Sequence, residues 1–259
     1  MSDALLMRED NDGICKLTLS RPGAYNSLSM ELMQALIAAF DAIADDHSVR
    51  VVVLSGSGRG FCSGHDLKQM LGEGAEDYYQ CTFDTCSELM QRVVNLPMPV
   101  IAQVHGVATA AGCQLVASCD LAVAAASSCF ATPGVNIGLF CSTPMVALSR
   151  SVSKKHAMEM LLLGDMISAE KAAEIGLVNW VVDDDLVAQK ALEVAGKIAA
   201  SSRKAISIGK QAYVRQIDKP LNEAYAECSR VMTENMLTHD AGEGIDAFIQ
   251  KRKPLWQHR

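Results

Sequence analysis

Apolar positions along the chain switch between two periods. Residues 14–20 (ICKLTLS) read as a strand closed by the turn Arg21-Pro22-Gly23. Leu32, Leu36, Phe40 and Ile43 then recur at helical spacing behind Ser29, a side chain suited to cap a helix N-terminus. VRVVVLSGS is a short continuous apolar run ended by glycine, the pattern of a strand covered on both faces. The glycine-rich loop GSGRGFCSGHD follows. Residues 78–96 read as a helix stopped by Pro97 and Pro99. PVIAQVHG is another buried strand, AAGCQLVASCD opens as a helix, and DLAVAAASSCFAT supplies a further strand.

The second half is mostly helical. Ser168 caps a short helix that Gly176 ends, before a strand over 180–182. Two helices close the chain, 220–237 and 240–253, the second with an Asp240–Glu243 pair that resembles a capping box. The pattern predicts an α/β core over 1–198 and a C-terminal helical subdomain over 199–259.

Composition narrows the class. With 49% apolar and 20% charged residues the chain reads as an ordinary globular protein, and its net charge of −7 argues against nucleic acid as a general partner. Nine cysteines, an odd number with no C-x-x-C pair, argue against both a disulfide framework and a structural zinc site. They favour a reducing compartment, and the acidic N-terminus shows no targeting pattern, so the expected location is cytoplasmic. No apolar run is long enough to span a membrane.

Several chemistries lack their motif. There is no P-loop, no G-x-G-x-x-G, no H-E-x-x-H and no G-x-S-x-G, and the scattered histidines suggest no metal site. Two strand ends remain, GFCSGHDL and HGVATAAGCQL, both rich in small residues that let a backbone approach a ligand. In an open α/β sheet ligands gather at the C-terminal ends of strands. Two such loops can each offer a backbone N–H to a carbonyl oxygen, or they can be tight turns and nothing more.

Five collinear stretches decide the comparison: LSRPGAYNSLS, VVVLSGSGRGFCSGHDLKQM, PVIAQVHGVATAAGCQLVASCDLAVAAASSCFATPGVNIGL, LLLGDMISAEKAAEIGLVNWVV and GIDAFIQKRKPLW. Over nearly its whole length the chain resembles the enoyl-CoA hydratase/isomerase (crotonase) superfamily, most closely its "enoyl-CoA hydratase domain-containing" subgroup. The resemblance implies a spiral of repeated ββα units with C-terminal helices that mediate trimerisation, a homotrimer or hexamer, and an acyl-CoA thioester ligand without any other cofactor. It implies an oxyanion hole from the backbone N–H groups of Ser63 and Ala111. Around it the implied substrate contacts are Cys62, Gly64, His65, Asp66, Leu67 and Cys141, with Phe248, Lys251 and Lys253 toward the coenzyme.

The chain departs from that family where protons are handled. Hydratases of the family use two glutamates; the corresponding places here hold Gln114 and Gly134. An amide orients water but neither accepts nor delivers a proton at neutral pH, and glycine has no side chain. General acid–base catalysis contributes about 10²- to 10⁴-fold per group, so ordinary hydration should be slow or absent. Among substitutes, Asp66 reads as structuring its loop, His65 as a solvated loop histidine, Glu88 as a solvated helix residue and Phe248 as core. Nothing in the sequence marks a base that would activate Cys141.

Overall fold

Asp12 and Gly13, both left-handed (φ 50° and 83°), form the two-residue turn between β1 (Leu6–Asn11) and β2 (Ile14–Leu19), which pair antiparallel. The computed structural model describes residues 4–259. Strand β1 escapes a pattern reading because nearly all of it is exposed; its Arg8, Glu9 and Asp10 put charge along a sheet edge. The chain continues through α1 (Met30–Asp45), β3 (Val51–Gly56), α2 (Leu67–Glu73), α3 (Glu76–Asn95), β4 (Val100–Val104), β5 (Val107–Thr109), α4 (Ala111–Ser118), β6 (Leu121–Ala125) and β7 (Cys129–Ala131). After α5 (Ser142–Ser151), α6 (Lys154–Leu163), β8 (Ile167–Ser168), α7 (Ala169–Glu174) and β9 (Trp180–Val182), four helices close it: α8 (Val187–Ala199), α9 (Arg203–Gln216), α10 (Leu221–Met236) and α11 (His239–Ile249).

The larger sheet runs β1-β2-β3-β4-β6-β9, parallel from β2 onward. Its central strands are buried on both faces, as their unbroken apolar runs require. Val51, Val53, Ile101, Val123 and Ala125 pack with Val187, Ala191, Val194, Ala195 and Ala199 of α8, whose spacing lays one stripe on that face. Val52, Leu54, Val100 and Ala102 belong to the main core, together with Leu32, Leu36 and Phe40 of α1 and Leu89 and Val93 of α3. A smaller sheet, β5-β7-β8, stands beside the first.

Two sequence expectations change here. The single strand expected over 120–132 is two strands in different sheets, because the chain turns at Ser128, whose N–H donates to Ala125 O (2.9 Å) and whose hydroxyl donates to Val104 O (3.2 Å). Helix α11 is capped by Thr238, which accepts from Ala241 N, and not by an Asp240–Glu243 box. Asp240 is instead buried and accepts from Ser202 Oγ, Gln257 N and His258 N, pinning the returning C-terminus.

Helix α9 docks on the core through Lys210. Its nearly buried ammonium donates to Asp120 (2.7 Å), Met98 O (3.1 Å) and Val93 O (3.3 Å). Tyr225 of α10, Leu237 just after it, and Phe248 and Ile249 of α11 are exposed; Phe248, expected in the core, is 85% exposed.

Candidate active site

The site is built where β3 and β5 end. The loop after β3 is held from the side by the segment after β2. Asn26, fully buried, accepts from Arg21 N (2.9 Å) and donates its amide to Ser57 O (2.9 Å) and Gly60 O (2.8 Å). Arg21 then reaches Asp66 (2.8 Å) while Asp66 caps α2 by accepting from Gln69 N (3.3 Å). Burial raises the Asp66 carboxyl, but the Arg21 and Gln69 hydrogen bonds outweigh it and hold the group below its ordinary value. Asp66 therefore structures the loop, as its sequence position suggests, and Leu67 opens α2 with its side chain exposed.

Cys62 joins this loop to the smaller sheet. Its N–H donates to Val107 O (3.1 Å) and its carbonyl accepts from Thr109 N (3.0 Å), a parallel bridge to Ala108. The Thr109 hydroxyl adds a bond to Ser63 O (3.1 Å). These contacts press Gly64 (φ 97°) against the start of α4: a Cβ on it would stand 2.9 Å from Ala110 Cβ and 3.3 Å from Ala111 N. Gly112 has even less room, since a Cβ there would lie 2.1 Å from Cys62 O. Small residues are required at this seam for close backbone approach.

The two expected N–H donors fare differently. Ala111 is the first residue of α4, and its N–H makes no hydrogen bond among the described residues. Ala110 before it holds φ 49° and ψ −119°, an unfavourable conformation for a residue with a Cβ, locked by Ala110 N to Ala131 O (2.9 Å) and Gln114 N to Ala110 O (3.0 Å). The Ser63 N–H, by contrast, is spent on Tyr25 O (3.0 Å) and is not a free donor. Two residues on, the bridge between Leu28 and this loop uses Gly64 O and Asp66 N and leaves the His65 N–H without a partner. His65 N–H, like Ala111 N–H, thus makes no hydrogen bond among the described residues, whereas Ser63 N–H does.

The two positions where the family's hydratases carry glutamates are uncharged here. Gln114 is buried on α4, its amide oxygen approached by the Cys86 thiol (3.9 Å) and its amide nitrogen making no hydrogen bond among the described residues. Gly134 lies in the 3-10 turn Pro133–Ile137 with Cys141 packed over it. Burial pushes the thiols of Cys62, Cys86 and Cys113 up to about 12 and raises that of Cys141, which argues against a thiolate nucleophile at neutral pH.

His65 is not the solvated histidine its loop suggests. Its ring stands edge-on to Phe83 of α3 (centroids 5.5 Å, planes 87° apart), Nε2 is buried without a partner, and burial lowers its pKa to about 4. Phe83 and Cys86 were not singled out from sequence. The helical period of α3, with Thr82, Cys86, Leu89, Met90 and Val93 inward, marks Cys86 as facing the core but not what it meets. Glu88 is exposed and paired with Arg92 (3.0 Å). Lys251 and Lys253 are exposed and make no ion pair among the described residues, whereas Arg252 between them binds Glu243 and Asp246. Helix α11, with Phe248, packs on α9 and α10, and Lys251 and Lys253 follow its end.

Residues 9–259 match the family model described as enoyl-CoA hydratase/isomerase. The chain is 46% identical over 254 residues to the rat enoyl-CoA hydratase domain-containing protein 3, mitochondrial, covering 98% of this chain and 85% of that protein. It is 35% identical to the 2,3-dehydroadipyl-CoA hydratase of Escherichia coli over the full length of both. Among solved structures, an enoyl-CoA hydratase of Mycobacterium smegmatis superposes with TM-score 0.96 at 48% identity, over 98% of this chain and 99% of that one. The human enoyl-CoA hydratase domain-containing protein 3 superposes with TM-score 0.95 at 46% identity, over 98% and 100%. The spiral α/β architecture and the sequence agree: this chain belongs to the enoyl-CoA hydratase/isomerase family, with the crotonase fold.

Proposed function

We propose that the chain is an acyl-CoA enzyme that holds a thioester oxygen between the N–H groups of His65 and Ala111 and has little hydratase activity. The observation that carries this reading is two backbone N–H groups without a hydrogen bond, on loops pressed together at Gly64, combined with uncharged residues at both acid positions. A preorganised donor of this kind lowers a barrier by about 3–4 kcal/mol where negative charge develops on the oxygen. At Ala111 the α4 N-terminus adds positive potential. The Gln114 amide nitrogen can place a water or an acyl oxygen, but it carries no proton across a double bond. The chemistry that fits is one in which the substrate drives its own bond cleavage to an enolate, decarboxylation being one example. No resident cofactor is needed beyond the coenzyme A of the ligand.

Calorimetry with butyryl-CoA, followed by a crotonyl-CoA hydration assay, tests the reading. Saturable binding with hydration near background supports it. Hydration at the ordinary enzymatic rate of about 1–10³ s⁻¹ would overturn the reaction part, and no binding of the thioester would overturn the whole. The absence of both acids also favours a non-catalytic acyl-CoA binding protein; a panel of CoA thioesters that all bind and none of which turns over would select it. We infer further that the uncovered Tyr225, Leu237, Phe248 and Ile249 are buried between copies in a homotrimer or hexamer, which sedimentation would show. The expected cytoplasmic location finds no support in the vertebrate relatives, whose names place them in mitochondria. Among the described residues no helix is long and apolar enough to cross a membrane.

A further inference from the structure

His65 has a backbone role at the site, but its side chain is also unspent. Neither ring nitrogen makes a hydrogen bond among the described residues, and Nε2 is closed off from water. Buried polar atoms are normally satisfied, so an orphaned one calls for a physical reason. A second orphan stands beside the same site: the buried hydroxyl of Thr132, next to Pro133-Gly134 and following Ala131, whose carbonyl fixes Ala110. The wall between them is also short of partners. On α3, Phe83 holds the His65 ring edge-on, and one turn on Cys86 meets the Gln114 oxygen, leaving the Gln114 amide nitrogen without a bond. A site for a bare hydrocarbon chain has no need of an imidazole, a hydroxyl and an amide with unused hydrogen-bonding capacity beside it.

We propose that His65 is a specificity residue whose imidazole hydrogen-bonds an oxygen carried by the acyl chain, so that the ligand class is an oxygen-bearing acyl-CoA and not a purely hydrocarbon one. The inference rests on the acyl-CoA reading above. Burial keeps the ring uncharged at neutral pH, so it offers one donor and one acceptor nitrogen and can meet a carbonyl or a hydroxyl. Because water does not compete for Nε2, a ligand oxygen that displaces part of the half-buried Phe83 edge regains a bond the empty site leaves unmade.

The test compares two thioesters of equal chain length, acetoacetyl-CoA and butyryl-CoA, by calorimetry on the full chain. Wild type should bind acetoacetyl-CoA about tenfold or more tightly, and His65→Leu, which keeps the backbone N–H, should bring the ratio to within about twofold. Equal affinities in wild type, or a preference that persists in His65→Leu, would overturn the proposal. Binding of neither ligand would overturn it together with the acyl-CoA reading, whereas binding without preference removes the role of His65 alone. The ring nitrogens give a second readout that a merely structural histidine would not move. In histidine-¹⁵N-labelled wild type, acetoacetyl-CoA should shift the His65 imidazole signals while butyryl-CoA leaves them near their free positions. That result supports the proposal even if His65→Leu fails to fold; unmoved signals on acetoacetyl-CoA binding would overturn it.

Discussion

A Cβ placed on Gly134 would stand 2.9 Å from the sulfur of Cys141. The same atom would lie 2.9 Å from Leu139 O and 3.3 Å from Cys141 N, so both a side chain and fixed backbone fill the space a second acid would need. The missing carboxylate is thus matched by a neighbour that occupies its room. Gly134→Ala should destabilise the protein by about 1–3 kcal/mol, the range for overpacking. In a Cys141→Ala background the loss should shrink but not vanish, because Leu139 O remains. Urea melts of the four proteins in the cycle check both statements.

The two acids should therefore not be equally restorable. Gln114→Glu changes an amide for a carboxyl of nearly the same shape, whereas Gly134→Glu must first move Leu139 and Cys141. Gln114→Glu alone should fold and bind butyryl-CoA. Burial raises the pKa of such a carboxyl, so the variant should lose stability as pH rises through that pKa and the group ionises. Any gain in crotonyl-CoA hydration should appear in Gln114→Glu, up to about 10²-fold, and not in Gly134→Glu.

Ala110 offers a test of strain at the helix start. Its positive φ is the kind of outlier that costs about 1–3 kcal/mol. Glycine relieves it but adds unfolded-state freedom worth about 0.5–1 kcal/mol. Ala110→Gly should therefore be neutral or stabilising by up to about 2 kcal/mol in thermal unfolding, an outcome unusual for Ala→Gly. Its Ala111 N–H would be less firmly aimed, so butyryl-CoA affinity should fall or stay level as stability rises.

The limits of the sequence are visible in single atoms. Buried parallel strands such as β3 and β4 announce themselves by unbroken apolar runs, and α1 by its spacing and its Ser29 cap. Strand β1 does not, since a charged edge carries no apolar period. The two loops are legible as small-residue strand ends, but that Ser63 N–H is already bonded to Tyr25 O is not. Which N–H is free depends on Tyr25 O, a carbonyl brought in from another segment by the left-handed Tyr25 and Asn26. The cover over His65 is illegible for the same reason: Phe83 comes from a helix later in the chain. Local pattern reveals elements; hydrogen-bond exclusivity is a tertiary fact.

Asp240 holds the returning C-terminus by accepting from Ser202 Oγ, Gln257 N (2.8 Å) and His258 N (2.9 Å). Burial raises its carboxyl, but these bonds outweigh burial and lower it below the ordinary value. A carboxylate lowered on folding stabilises above its unfolded pKa of about 3.9, and that share is lost as pH falls through the lower folded value. Asp240→Asn should cost about 1–3 kcal/mol at pH 7, the range for a buried hydrogen-bonded charge. Measured in urea, the deficit should be flat above about pH 5 and shrink toward pH 3.

The opposite sign applies to His65. Its pKa falls from 6.5 to about 4 on folding because burial disfavours the imidazolium. Between those values the unfolded chain binds more protons than the native one, so this group makes stability rise with pH from about 4 to 6.5 and level off above. At 1.36 kcal/mol per pKa unit the full span is on the order of 3 kcal/mol. Subtracting the pH profile of His65→Leu from that of wild type should isolate this rise from the carboxylate terms that both proteins share. A difference flat from pH 4 to 7 would show that the native ring titrates normally and is open to water. Ligand should deepen the effect: if an acyl oxygen bonds the uncharged ring, saturating acetoacetyl-CoA should lower the His65 pKa further, and butyryl-CoA, with no oxygen to offer there, should not.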